Sequence, residues 1–111
     1  MIIYCAGPVG KQIVANIKER NFCEVVSWVD NARKGEIISD ILIGDPKQIT
    51  KVQFDKILVA TTHVNICREI EDSLGNIGIS KERVVKWNYE KMIEYGRVVY
   101  ESLSADLIFT L

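Results

Sequence analysis

Near its start the chain places a run suited to holding an anion, Cys5-Ala6-Gly7-Pro8-Val9-Gly10, between the apolar residues Met1-Ile2-Ile3-Tyr4 and an amphipathic stretch. Such a run reads as a turn from a buried strand into a helix. Free N–H groups and a partial positive charge at the helix start then face any negative group that arrives. Ala6, Pro8 and Val9 build the turn. Gly7 is where backbone approaches a diphosphate with no side chain between, and Gly10 lets the helix pack closely on the strand it left. Asp30 closes the next apolar run, Val25-Val26-Ser27-Trp28-Val29, twenty residues after Gly10. A dinucleotide fold puts there the carboxylate that accepts hydrogen bonds from a ribose, and a carboxylate there disfavours a 2′-phosphate, so NAD(H) is expected ahead of NADP(H). Asn31 and Arg33 continue the same loop as candidate ligand contacts. Cys5 stands where the full fingerprint has glycine, and a turn of ordinary negative φ is expected at it. Two readings follow: a nucleotide site, or a fold that keeps its turn glycines for packing alone.

A second group of candidates follows Ile57-Leu58-Val59-Ala60. Thr61 and Thr62 can donate to a phosphate or sugar, with Thr62 equally well placed as a helix N-cap. His63, the only histidine, reads either as a proton shuttle on the ligand side or as a solvent-facing residue at a helix start. A lone histidine among scattered carboxylates lacks the spacing of a zinc or di-iron centre, so no metal is expected. Cys5, Cys23 and Cys67 match no zinc or disulfide framework and point to a reducing compartment. Cys5 and Cys67 read as small core hydrophobes rather than nucleophiles.

The elements that must carry these residues alternate. Val9, Ile13, Val14 and Ile17 recur at helical spacing from about Val9 to Arg20, with Asn21 as the stop. Strand two is expected from Glu24 to Val29, and Ile41-Leu42-Ile43 reads as a third strand. Asp45 and Pro46 then supply the N-cap and first position of a short helix ending near Thr50. Ile57 to Ala60 is the kind of apolar run buried on both faces of a parallel sheet. The next helix carries Val64, Cys67, Ile70 and Leu74 inward and ends near Gly75 and Gly78, and Val84-Val85 makes strand five. This pattern predicts one α/β domain over residues 1–111: a Rossmann-like, doubly wound parallel sheet of about five strands, order 3-2-1-4-5, with helices on both faces. Its crevice lies between Gly7 and Thr61. Residues 89–111 are expected to add a helix, Tyr89 to Tyr100, and an apolar tail, Leu103 to Leu111, that covers a sheet edge or a partner subunit.

The run Ile-Tyr-Cys-Ala-Gly-Pro-Val-Gly-Lys-Gln, with Val25 to Asn31, Ile43-Gly44-Asp45-Pro46, Asp55 to Ala60 and Gly78-Ile79, resembles the CoA-binding-like Rossmann domains of bacterial surface-polysaccharide proteins. Those include nucleotide-sugar dehydratases and epimerases, sugar acyltransferases and the front of some sugar-modifying methyltransferases. The resemblance covers about Met1 to Met92 and implies phosphate contacts at Ala6, Gly7, Pro8, Val9 and Gly10, with Asp30 as the acidic residue ending strand two. NAD(H), CoA and a UDP-sugar are the ligands it implies.

At 111 residues, with 48% hydrophobic and 26% charged residues, the chain is sized for one globular domain. A net charge of −1 gives no electrostatic footprint for nucleic acid. No charged leader precedes an apolar core and no run suits a membrane span, so the cytoplasm is the default. The first functional expectation is a nucleotide-binding module for NAD(H) or a nucleotide-sugar in a polysaccharide-building system, working with a fused or associated catalytic domain. A structural or oligomerisation domain with a degenerate site, through which the chain would form a homo-oligomer, is the second. A small NAD(P)-dependent oxidoreductase with His63 as its catalytic group is the third, and a ligand sensor of the potassium-transport regulatory type, suggested by Thr61 to Asn65, is a looser fourth.

Overall fold

A computed structural model of the chain describes residues 1–21 and 23–87. In chain order the elements are β1 (Ile2–Tyr4), α1 (Pro8–Arg20), β2 (Ser27–Val29), β3 (Ile37–Ile38), β4 (Ile41–Leu42), a 3-10 helix (Pro46–Lys51), β5 (Ile57–Ala60), α2 (Val64–Asn76), a 3-10 turn (Lys81–Arg83) and β6 (Val84–Trp87). Four of the strands form one parallel sheet in the order β2-β1-β5-β6, and β3 and β4 form a separate antiparallel pair.

Alternation along the short strands divides the core in two. Ile3, Trp28 and Leu58 share one buried cluster with Ile13, Val14 and Ile17 of α1. Ile2, Tyr4, Val29, Ile57 and Val59 share the other with Cys67, Ile70 and Leu74 of α2 and Ile49 of the 3-10 helix. Successive residues of a strand face opposite sides, so each helix covers its own face of the sheet. All four residues of β5 are buried, as its unbroken apolar run requires of a strand covered on both sides. α1 ends as expected at Asn21, which takes the left-handed conformation (φ 51°) and donates its N–H to the Ile17 carbonyl. Asp45 caps the 3-10 helix by accepting from Lys47 N–H at 3.0 Å, with Pro46 in the first turn.

Three expectations need correction. Among the described residues the expected five-stranded sheet of order 3-2-1-4-5 is reduced to four parallel strands, because Ile41-Leu42 turns back on Ile37-Ile38 as a hairpin. Ser39 and Asp40 both have positive φ (51° and 64°), the conformation that a two-residue hairpin turn needs. A single parallel bridge among the described residues, Val29 to Gly44, remains on the outer side of β2. Strand two begins at Ser27 rather than Glu24, since β1 is three residues long and offers Val26 N–H only the Met1 carbonyl. Val64, expected inward on α2, is 62% exposed, while Cys67, Ile70 and Leu74 are buried. The expected helix and apolar tail of residues 89–111 lie outside the described residues.

Candidate functional site

The carboxyl ends of β1, β2 and β5 open onto a cleft of about 540 Å3. That is within the range of small-molecule sites. Three loops and one side of α2 line it, and the chain direction across the sheet reverses there, between β1 and β5.

The first loop is the glycine turn. Gly7 is the N-cap of α1 in extended conformation and has no side chain to cap the helix, and Pro8 occupies the first turn without an N–H. The remaining first-turn N–H groups of an α-helix have no intrahelical acceptor. α2 begins likewise at His63, whose side chain makes no cap. Gly7 and His63 both line the cleft, so two helix starts without side-chain caps converge on it.

Cys5 departs from expectation. Its φ is 91°, the left-handed region that favours glycine, rather than the negative value predicted for the turn. Its backbone is held by three constraints: its N–H donates to the Val29 carbonyl (2.8 Å), its carbonyl accepts from Trp28 Nε1 (2.8 Å), and the helix start at Gly10 presses against that carbonyl. The cysteine therefore sits in a conformation that costs about 1–2 kcal/mol for a residue with a Cβ. Cys5→Gly is expected to raise stability by about 1 kcal/mol, measured as a higher urea midpoint at unchanged slope. A lower midpoint would mean that packing of the thiol outweighs the relieved strain. Burial, followed by the charge of Asp30, pushes the Cys5 thiol up to about 12, so it faces the cleft as a neutral S–H.

Asp30 organises the second loop. Its Oδ2 accepts from Ala6 N–H at 2.7 Å, and its Oδ1 accepts from Ala32 N–H (2.8 Å) and Arg33 N–H (3.0 Å). One carboxylate thus ties the first turn to the loop after β2. A carboxylate offers about four lone-pair sites, so three are occupied and one, on Oδ2, is left. Arg33 lines the cleft and faces Glu36 at 3.8 Å. Lys34 pairs instead with Asp45 at 3.5 Å and does not line the cleft.

In the third loop Thr61, nine-tenths buried, accepts from His63 N–H at 3.2 Å, so Thr61 rather than Thr62 supports the start of α2. His63 is exposed, and its ring has no hydrogen-bond partner among the described residues.

Of the residues selected from sequence, Gly7, Pro8, Val9, Asp30, Asn31, Arg33, Thr61, Thr62 and His63 do line one cleft. Ala6 and Gly10 do not: both are buried, Ala6 with its N–H on Asp30 and Gly10 against the Cys5 carbonyl. Sequence reasoning missed Tyr4, which ends β1 in the cleft, and Ile66, Glu69 and Ser73 of α2. Their signal was helical spacing: positions 66, 69 and 73 form a stripe beside the buried one at 67, 70 and 74. Among the described residues no group of three or more His, Cys, Asp or Glu could hold a metal ion, and no helix is long and apolar enough to cross a membrane.

No curated protein matches the chain. The family model described as C2185-like, N-terminal, matches residues 1–85, ending inside β6. It is not a Rossmann or CoA-binding family, so the resemblance to CoA-binding-like domains of surface-polysaccharide proteins does not hold.

Proposed function

The chain belongs to the C2185-like, N-terminal family, and from that premise we propose that its cleft is a nucleotide-binding site, with NAD(H) as the ligand. The observation that carries this reading is Asp30. Its carboxylate is fixed by three backbone N–H groups at the carboxyl end of β2, on the same cleft as the uncapped start of α1, and keeps one lone pair for a ligand hydroxyl. In this reading the phosphates lie over the starts of α1 and α2, a ribose meets Asp30, and the apolar side of α2 at Ile66 and Ile70 packs against a ring. The sheet, with helices on both faces and its reversal between β1 and β5, serves as a doubly wound, Rossmann-like frame whose fifth strand is shortened to the Gly44 bridge.

Among the described residues Arg33 is the only lysine or arginine lining the cleft, and it faces Glu36. That favours NAD+, with its cationic ring, over the more anionic CoA and UDP-sugars, and the Asp30 carboxylate disfavours a 2′-phosphate. The domain binds and positions a ligand. Among the described residues His63 has no orienting partner of the kind that a proton-transfer residue requires, which favours a binding module over a complete oxidoreductase. A thermal-shift series with NAD+, NADH, NADP+, CoA, UDP-glucose and AMP tests the reading. NAD+ at about 100 times its Kd stabilises by roughly 2.7 kcal/mol, a rise of several degrees, and NADP+ gives less. No shift with any nucleotide would overturn the reading in favour of a structural domain in which Asp30 only pins the loop.

A further inference from the structure

We propose that Tyr4 is the second ribose-binding group of the cleft: its phenolic O–H donates to the same ligand hydroxyl that donates to Asp30 Oδ2, so the site selects a ribose on which that hydroxyl is free. This rests on the nucleotide reading above and adds to it a residue and a selectivity.

Tyr4 ends β1, beside Val29, with which it shares the face packed by α2. That pairing sets it one residue short of Asp30 along the neighbouring strand. Only 5% of its surface is exposed, and it lines the cleft. The Asn31 side-chain amide is the phenol's polar neighbour, and it partly offsets the rise that burial imposes on the tyrosine. Asn31 can engage one side of the phenol oxygen and leaves the side toward the cleft to a ligand. A nine-tenths buried tyrosine hydroxyl on the cleft, beside a carboxylate with one acceptor site left, matches a group that both donates and accepts. A hydroxyl does both, whereas a phosphate oxygen would accept from Tyr4 but repel Asp30. Burial, with the charge of Asp30 adding to it, raises the tyrosine above its usual range, so it keeps its proton throughout the neutral range.

Calorimetry on the full chain with AMP, 2′-deoxy-AMP and 3′-deoxy-AMP tests this, together with Tyr4→Phe, which keeps the ring and removes the donor. The wild-type chain is expected to bind AMP roughly tenfold more tightly than the nucleotide that lacks the bridging hydroxyl. Tyr4→Phe is expected to weaken AMP by about fivefold to tenfold and leave that deoxynucleotide unchanged. Equal wild-type affinity for all three nucleotides overturns the proposal without any substitution, as does an equal loss for all three in Tyr4→Phe. In both cases nucleotide binding itself stands. Failure of the wild-type chain to bind either AMP or NAD+ overturns this proposal and the nucleotide reading together.

Discussion

Gly10→Ala is expected to destabilise the domain by about 3 kcal/mol or more. A Cβ on Gly10 would lie 2.2 Å from the Cys5 carbonyl oxygen and 3.6 Å from Trp28 Nε1. The first contact is with backbone, so no side-chain rotation relieves it. That same carbonyl accepts the indole N–H of Trp28, which is 1% exposed in the core on the α1 face. Moving α1 away to make room would loosen Ile13, Val14 and Ile17, while moving Cys5 would lengthen the Trp28 bond and disturb its bond to Val29. Urea denaturation of the two chains measures the effect. A loss under about 1 kcal/mol would show that the turn can shift freely and that the close approach of α1 to β1 is not a constraint on the fold.

The second large effect is at Asp30. Asp30→Asn is expected to cost about 2–4 kcal/mol, since hydrogen bonds to a charged acceptor contribute roughly 1.5–3 kcal/mol and an unsatisfied buried donor adds a penalty. The asparagine oxygen can still accept from Ala32 and Arg33. The NH2 group would then face Ala6 N–H, donor against donor, and Ala6 is fully buried. The substitution therefore separates the glycine turn from the loop after β2, and nucleotide affinity is expected to fall by at least tenfold. Urea midpoints and NAD+ titrations of both chains, performed where both are folded, measure the two effects. Unchanged stability would mean that the carboxylate contacts are replaced by water at no cost.

Much of the frame was legible because burial on two faces leaves a direct mark. The unbroken run Ile57 to Ala60, the stripe Cys67, Ile70 and Leu74, the stop at Asn21 and the Asp45-Pro46 start each follow from one local rule, and all appear in the structure. The hairpin was missed because Ile41-Leu42-Ile43 has the composition of a buried strand. Its pairing is decided by Ser39 and Asp40, which adopt positive φ without being glycine. Glu24 to Val26 has strand-like residues, but β1 is too short to pair with them. The site was legible as a set of loops, since Gly7, Asp30 and Thr61 all follow strand ends. Its internal wiring was not. That Asp30 would hold the Ala6 N–H, that Cys5 would sit at φ 91°, and that Val64 would lie outside the core depend on how β1, β2 and α2 meet, which no local pattern encodes.

The central claim is that a nucleotide lies where the first turn, the Asp30 loop and the start of α2 converge. Amide chemical-shift mapping of the 15N-labelled full chain during an NAD+ titration tests it most directly. The account predicts saturable shifts concentrated at Gly7, Val9, Asp30, Ala32, Thr61 and His63, with the β3–β4 hairpin unaffected. Absence of shifts at millimolar NAD+, or shifts confined to the hairpin and the far end of α2, would contradict it.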